Sequence, residues 1–324
     1  MMAGSSKNTL SSELKSIAGL SCRVNEHLAR YTSMKVGGPA DFFIDVQNHG
    51  SLAPLLRTLS QNRVPFYLLG RGSNVLVSDL GVRGAVVRLG AEFRKVVWQE
   101  EKSAVRATLG AAYPMARLVR DAMIRGYAGL EFAEGIPGSV GGALVMNAGA
   151  YGSEMERVVE RVDGVTYQGK PVSLPKEEMV FSYRNIRLPQ EMIVTRVQIL
   201  LSKGNANDVS RRVRDLVQIR KEKQPTGYPN SGSMFRNPPG DFAARLIEAA
   251  GLKGKKIGNA SISERHANFI VNLGGAKAEE VRRLMEMAGA TVKKKWGVEL
   301  VPEVHFLGEW KARSAERKVR SHRT

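Results

Sequence analysis

The segment YPNSGSMFRNPPG, Tyr228 to Gly240, sets Ser231 and Ser233 on either side of Gly232 and directly before the apolar pair Met234–Phe235. Neither serine stands in G-x-S-x-G, so the activated nucleophile of a hydrolase elbow is not written here. The residue types fit a hydroxyl held at the edge of an apolar surface, or a surface turn with solvated hydroxyls; the segment alone does not choose. Two glycine-rich segments carry a second kind of chemistry. In LLGRGSNVLVS, Gly70 and Gly72 directly follow a strand-like run, with Ser73 and Asn74 as short hydrogen-bonding neighbours. Glycines let a backbone curl until its N–H groups converge on an anion, with no Cβ in the way of a phosphate. The loop is not a P-loop, since Gly-Lys-Ser/Thr is absent, and Val75 stands where a dinucleotide fingerprint needs its third glycine. In GIPGSVGGALVMNAGAYG, Gly135, Gly138, Gly141, Gly142 and Gly149 crowd into fifteen residues, with Pro137 fixing a bend. Such a run is costly in chain entropy and reads as an elaborate loop or as backbone laid flat against a large flat cofactor. His266 has no second histidine or acid at metal spacing and reads as structural, so no metal is expected.

The elements around these segments fall into three regions, 22–90, 91–206 and 207–310, between a flexible segment 1–21 and a disordered basic tail 311–324. In the first, DFFIDV is strand-like, Ser51 is placed to cap a helix, and Leu52, Leu55, Leu56 and Leu59 form one buried helical stripe. VPFYLLG follows as a short buried strand, giving the start of an α/β unit. The second region offers several strands and one helix after Pro114, with Met115, Leu118, Val119 and Ala122 on one face and Gly126 as its stop; the glycine run beyond it is too rich in glycine to be regular. The third opens with a helix from Asp208, and later carries DFAARLIEAAGL as a helix, HANFIVNL as a strand, EEVRRLMEMAG as a helix and GVELVPEVHFLG as an extended close.

Composition bounds these readings. A length of 324 residues with 43% hydrophobic content and 33 glycines describes a folded, loop-rich chain of two or three domains. No apolar run is long enough to span a membrane, and the N terminus lacks the apolar core of a signal peptide, so the expected compartment is the cytoplasm. Cys22 is the only cysteine, which excludes an internal disulfide and a cysteine-based zinc site. The formal charge is +18, of which the tail, with six Lys or Arg and one Glu, supplies +5 and leaves +13 dispersed over the rest. That balance suits a nucleic-acid binder or a protein whose clefts take phosphorylated small molecules.

Taken together, SMKVGGPA, GRGSNVLV, GIPGSVGGALVMNAGAYG, SYR, SGSMFRNP, HANFIVN and PEVHFLG resemble, in order and from about residue 22 to residue 308, the UDP-N-acetylenolpyruvoylglucosamine reductase (UDP-N-acetylmuramate dehydrogenase) family. The resemblance implies an α+β fold: an FAD-binding module of the vanillyl-alcohol-oxidase (PCMH) type made of two α+β subdomains, plus a C-terminal α+β substrate domain. It implies non-covalent FAD, NADPH as hydride donor, and UDP-N-acetylglucosamine enolpyruvate as the acceptor reduced to UDP-N-acetylmuramate, a step of peptidoglycan precursor synthesis. The expected protein is a monomer without nucleic-acid or membrane partners. By motif, the flavin-contacting positions are Gly37, Gly38, Gly70, Arg71, Gly72, Ser73, Asn74, Gly135, Ile136, Pro137, Gly138, Ser139, Gly141, Gly142, Asn147 and Gly149, Arg71 without a side-chain role. Ser233 matches the proton donor, with Ser231 as its neighbouring rival and Gly232 permitting close approach. Arg184 matches the arginine that supports the substrate carboxylate and developing enolate, and Glu303 the acid that completes the site. Lys223 and Asn237 resemble substrate-binding positions, and Arg220, one helical turn from Lys223, could help hold a diphosphate.

The chain departs from the pattern in one place. After SYRN it reads IRLPQEMIVTRV, without the serine many relatives carry and without room for the long tyrosine-bearing insertion, and so resembles the shorter subgroup. Three further readings compete with this one, the third a non-enzymatic scaffold, which would have little use for a dry site with an acid and an arginine. Another flavin oxidoreductase of the same fold would keep the glycine loops without Arg184, Ser233 and Glu303, and a nucleic-acid binder, suggested by a pI near 10.1, would leave both loops unexplained.

Overall fold

The structure, a computed structural model, describes residues 4–310. The first unit begins with helix α1 (Gly4–Ser16), so the expected flexible segment 1–21 is replaced over most of its length by an ordered helix. The cause is a short stripe on a polar helix: Leu10 and Leu14, one turn apart, are fully buried in the main core. Lys7 Nζ adds a contact of 2.5 Å to Asp41 Oδ1. The expected basic tail 311–324 and residues 1–3 lie outside the described residues.

Strand Leu20–His27 pairs antiparallel with Pro39–Val46, which lies parallel to Val82–Leu89, itself parallel to the edge strand Phe66–Leu68. Helix α2 (Leu52–Gln61) buries Leu52, Leu55, Leu56 and Leu59, as the stripe requires. Burying each such side chain is worth roughly 1.5–3 kcal/mol. Ser51 does not cap it. A preceding turn of 3₁₀ helix starts at His49, Asn48 Oδ1 accepts from Ser51 N, and Ser51 Oγ donates instead to Ala18 O at 2.6 Å.

The second unit is an antiparallel sheet in the order Pro171–Pro175, Val159–Thr166, Met192–Lys203, Ala104–Gly110, Val96–Glu100, with Tyr127–Ala128 also on the long central strand. Helix α3 (Met115–Arg125) stops at Gly126 in the left-handed region (φ 72°), as read from the sequence. Inside the glycine-rich run, where no regular structure is expected, residues Val140–Val145 form the short helix α4, because Val140, Ala143 and Leu144 find a buried face. Helix α5 (Ala206–Lys223) packs on α3 and so leans on the second unit.

The third unit pairs Asn230–Ser233 with Phe269–Asn272, then Ala260–Ile262 and Lys256–Ile257, under helices α6 (Ala243–Ala249) and α7 (Ala278–Trp296). Three features fix its place. Met34, Val36 and Leu76 of the first unit are buried in its core. The Asp79 carboxylate accepts from Ala278 N and Glu279 N, at 2.9 and 3.0 Å, and so caps α7 from outside. Finally, His305–Leu307 lies parallel to Val75–Val77, which returns the end of the chain to the first glycine loop.

Candidate active site

The two glycine-rich loops meet. Gly72 has φ 64°, and a Cβ there would stand 2.2 Å from Tyr31 O, so only glycine fits. Ser73 Oγ donates to Pro137 O at 3.2 Å, and a Cβ on Gly70 or Gly138 would lie 3.0 Å from Ser139 Oγ or Ser73 Oγ. Ser139, Gly141 and Gly142 begin α4, where Ser139 Oγ accepts from Gly142 N at 3.4 Å and Val145 stays exposed. Ile136 is partly buried between Gly135 and Pro137, and Arg71 is exposed. Asn74 Nδ2 donates to Glu303 O at 3.1 Å, and Asn74 O accepts from His305 N. Gly37 and Gly38 pack on the chain that leaves the first loop: Gly38 N bonds Ser78 O at 2.8 Å, and side chains at either position would strike Val77 or Asp79.

The strand leading into this junction differs from expectation. Tyr67 and Leu68 are 41% and 46% exposed rather than buried. Phe66–Leu68 is the sheet edge, with one strand neighbour, and of its side chains Phe66 packs against Tyr167 while Tyr67 and Leu68 stay exposed. Bare apolar side chains beside two loops stripped of Cβ atoms fit a large flat ligand with a phosphate tail, the chemistry of FAD.

Arg184 stands in the turn of a two-stranded hairpin, Val180–Ser182 with Asn185–Arg187, at φ 56°. Its Nε donates to Glu303 Oε1 at 2.9 Å and its Nη2 to Gly149 O at 2.8 Å. Burial pushes the Glu303 carboxyl above its usual pKa, against the pull of Arg184 and, more weakly, Arg236. Glu303 N bonds Met234 O at 2.8 Å, so the acid, the arginine and the serine segment converge.

The two serines are unlike. Ser231 is buried and its Oγ reaches Val75 O at 3.4 Å, whereas Ser233 is half-buried at the strand end and its hydroxyl has no hydrogen bond among the described residues. Met234 and Phe235 are buried and anchor the segment. Gly232 has φ 73°, which favours glycine, and no neighbouring atom beyond its chain neighbours lies within 4 Å of where a Cβ would be.

The remaining predicted positions divide. Arg220 Nη1 donates to Gly135 O at 2.8 Å, and Asn237 Oδ1 accepts from Ala243 N at 3.1 Å at the start of α6, so each spends one polar atom on backbone. Lys223 is exposed at the end of α5 without an ion pair among the described residues. Asn147 has no exposed surface, and Gly149 sits in a tight ladder with Glu154. His266 packs edge-on against Phe269. From Arg187 the chain reaches the next strand at Met192 with no insertion between.

Sequence reasoning missed Arg236 and His305. Arg236 Nε is buried without a partner among the described residues, beside Glu303. His305 Nε2 lies 3.1 Å from Met146 Sδ, and burial, helped by Arg236, pushes its pKa down. The available signal was position within motifs: Arg236 lies inside SGSMFRNP and His305 inside PEVHFLG. Tyr151, exposed on the turn after Gly149 with the Arg220 guanidinium 5.8 Å from its ring centre, is a third.

Comparison with known proteins bears on this arrangement. Residues 40–174 match the family described as FAD binding domain, and residues 224–307 match UDP-N-acetylenolpyruvoylglucosamine reductase, C-terminal domain. A UDP-N-acetylenolpyruvoylglucosamine reductase of Caldanaerobacter subterraneus subsp. tengcongensis is 45% identical over 88% of this chain and 93% of its own length. The crystal structure of UDP-N-acetylenolpyruvylglucosamine reductase from Thermus caldophilus aligns with a TM-score of 0.76 at 36% identity, covering 89% of this chain and 98% of that one. A berberine-bridge-enzyme-like protein of Physcomitrella patens, 11% identical with a TM-score of 0.52 over 88% of each chain, shares the fold alone. The fold is α+β, an FAD-binding domain followed by a C-terminal α+β domain. With that relatedness spread over both modules, the chain belongs to the UDP-N-acetylenolpyruvoylglucosamine reductase family and is an FAD-dependent oxidoreductase.

Proposed function

We propose that this chain reduces UDP-N-acetylglucosamine enolpyruvate to UDP-N-acetylmuramate, with NADPH as donor, in the cytoplasmic synthesis of peptidoglycan precursors. The Gly70–Asn74 and Gly135–Gly142 loops would hold FAD beside the exposed Tyr67 and Leu68, and the bound cofactor would supply hydride chemistry between NADPH and one vinyl carbon of the enolpyruvyl ether. Negative charge then spreads from the vinyl group into the substrate carboxylate, and a positioned cation must meet it. Arg184 fits: two of its nitrogens are fixed on Glu303 and Gly149, which leaves Nη1 without a hydrogen bond among the described residues.

The second vinyl carbon needs a proton, and Ser233 supplies it. A serine hydroxyl is a weak acid in water and works only when fixed in a dry site against a strongly basic carbon. Glu303, whose pKa burial raises, orients Arg184 and is placed for proton exchange with the site. The observation that carries this reading is the Arg184–Glu303 pair, tied by the bond from Glu303 N to Met234 O to the residue after Ser233, whose hydroxyl has no hydrogen bond among the described residues. Ser233→Ala is expected to leave flavin reduction by NADPH intact and to slow reoxidation by the enolpyruvyl sugar nucleotide at least about 10²-fold. Equal slowing of both half-reactions would remove Ser233 from the proton-donor role.

A further inference from the structure

The glycine-rich run 135–152 has two halves with different surroundings. Its first half, Gly135–Ser139, faces the Gly70–Asn74 loop. Its second half turns inward around Asn147, which has 0% exposure and a left-handed backbone at φ 37°. Asn147 Nδ2 donates to Ser182 O at 3.2 Å, and Asn147 Oδ1 accepts from Glu156 N at 3.0 Å. Ser182 ends the first strand of the hairpin that carries Arg184 in its turn. Two residues beyond Asn147, Gly149 O accepts from Arg184 Nη2 at 2.8 Å. Gly149 can make that contact because its ladder with Glu154 is too tight for a side chain; a Cβ would stand 2.4 Å from Ser153 O.

A residue with no exposed surface offers no face to a ligand that arrives from solvent. We infer that Asn147 is a positioning residue for Arg184, and that the Asn147–Glu156 turn is the socket that aims this guanidinium at the substrate anion, rather than part of the cofactor cradle. Only a primary amide of this size both donates to one carbonyl and accepts from one N–H. Aspartate keeps the Glu156 bond but sets a carboxylate oxygen against Ser182 O. The importance of the aim rests on the proposed function; the socket itself does not.

Two experiments on the holoenzyme separate these. In Asn147→Asp and Asn147→Ala, hydrogen exchange of the amides in residues 180–187 is expected to quicken, with residues 70–74 unchanged; unchanged exchange of the hairpin overturns the socket whatever the substrate proves to be. FAD affinity and reduction by NADPH should stay within about twofold of the parent, while reoxidation by the enolpyruvyl sugar nucleotide slows about tenfold, a loss near 1.4 kcal/mol. Because the residue acts through Arg184, the double variant Asn147→Asp/Arg184→Lys should be no slower than Arg184→Lys alone. Additive losses, or weakened FAD with normal reoxidation once FAD is saturating, overturn the inference. If the parent enzyme itself is not reoxidised by the sugar nucleotide, the proposed substrate is at fault and the exchange result still decides the socket.

Discussion

Arg184→Lys tests the site where its geometry is most demanding. The backbone at this position is already left-handed at φ 56°, and lysine bears that strain as arginine does, so the change isolates the head group. The guanidinium makes two bonds in different directions, to Glu303 Oε1 at 2.9 Å and Gly149 O at 2.8 Å, and Nη1 has no hydrogen bond among the described residues. A single ammonium on a flexible stem cannot hold three partners in that plane. Both side chains of the ion pair are mostly buried, 20% and 17% exposed, so losing the geometry is not compensated by solvent. Removing one preorganised donor from a developing anion costs about 2.7–4 kcal/mol, or about 10²–10³ in rate. The assay reduces the enzyme anaerobically with NADPH, mixes it with the enolpyruvyl sugar nucleotide, and follows the return of flavin absorbance. Reduction should be near normal and the return slowed by that factor. Reoxidation within about threefold of the parent would show that Arg184 does not support the anion.

Other perturbations have distinct expected outcomes. Ser231→Ala removes only a long bond to Val75 O, so reoxidation should stay within about tenfold of the parent, and a loss matching that of Ser233→Ala would reverse the choice between the serines. Gly138→Ala forces a side chain into φ 123° and toward Ser73 Oγ, so the purified protein should carry less FAD, read from the ratio of visible to ultraviolet absorbance; full occupancy would remove this loop from the cradle. Burial works against the Asp41 carboxylate, but Lys7, Gly84 N and Arg83 outweigh it and hold its pKa below the usual value. Its contribution to stability is therefore complete above the unfolded carboxylate pKa of about 4 and fades as pH falls through the lower folded value. Asp41→Asn should lower the melting temperature at pH 7 and approach the parent near pH 3; the same offset at both would refute the role of that charge in docking α1.

Much of this was legible because it rests on periodicity and turn chemistry. The leucines of α2, the face of α3 and its stop at Gly126, and the apolar pair Met234–Phe235 are all local signals. Features set by distant partners were not. Ser51 reads as a cap until Ala18 O is seen to take its hydroxyl, and α1 reads as polar until Leu10, Leu14 and Lys7 find their sites on the first sheet. Tyr67 and Leu68 read as core because nothing in a sequence marks the edge of a sheet. In the site, motifs pointed to Arg184, Glu303 and to Ser233 over Ser231, but only the fold brings Arg236 Nε, without a partner among the described residues, beside the acid.

The most direct test of the account is a visible spectrum of the purified protein, taken anaerobically, then with NADPH, then with UDP-N-acetylglucosamine enolpyruvate. A flavin spectrum that bleaches with NADPH and returns with the sugar nucleotide is the predicted result, joining cofactor, donor and acceptor in one cuvette. A spectrum that bleaches and stays bleached would contradict the assigned acceptor, and a colourless protein that takes up no added FAD would contradict the cradle itself.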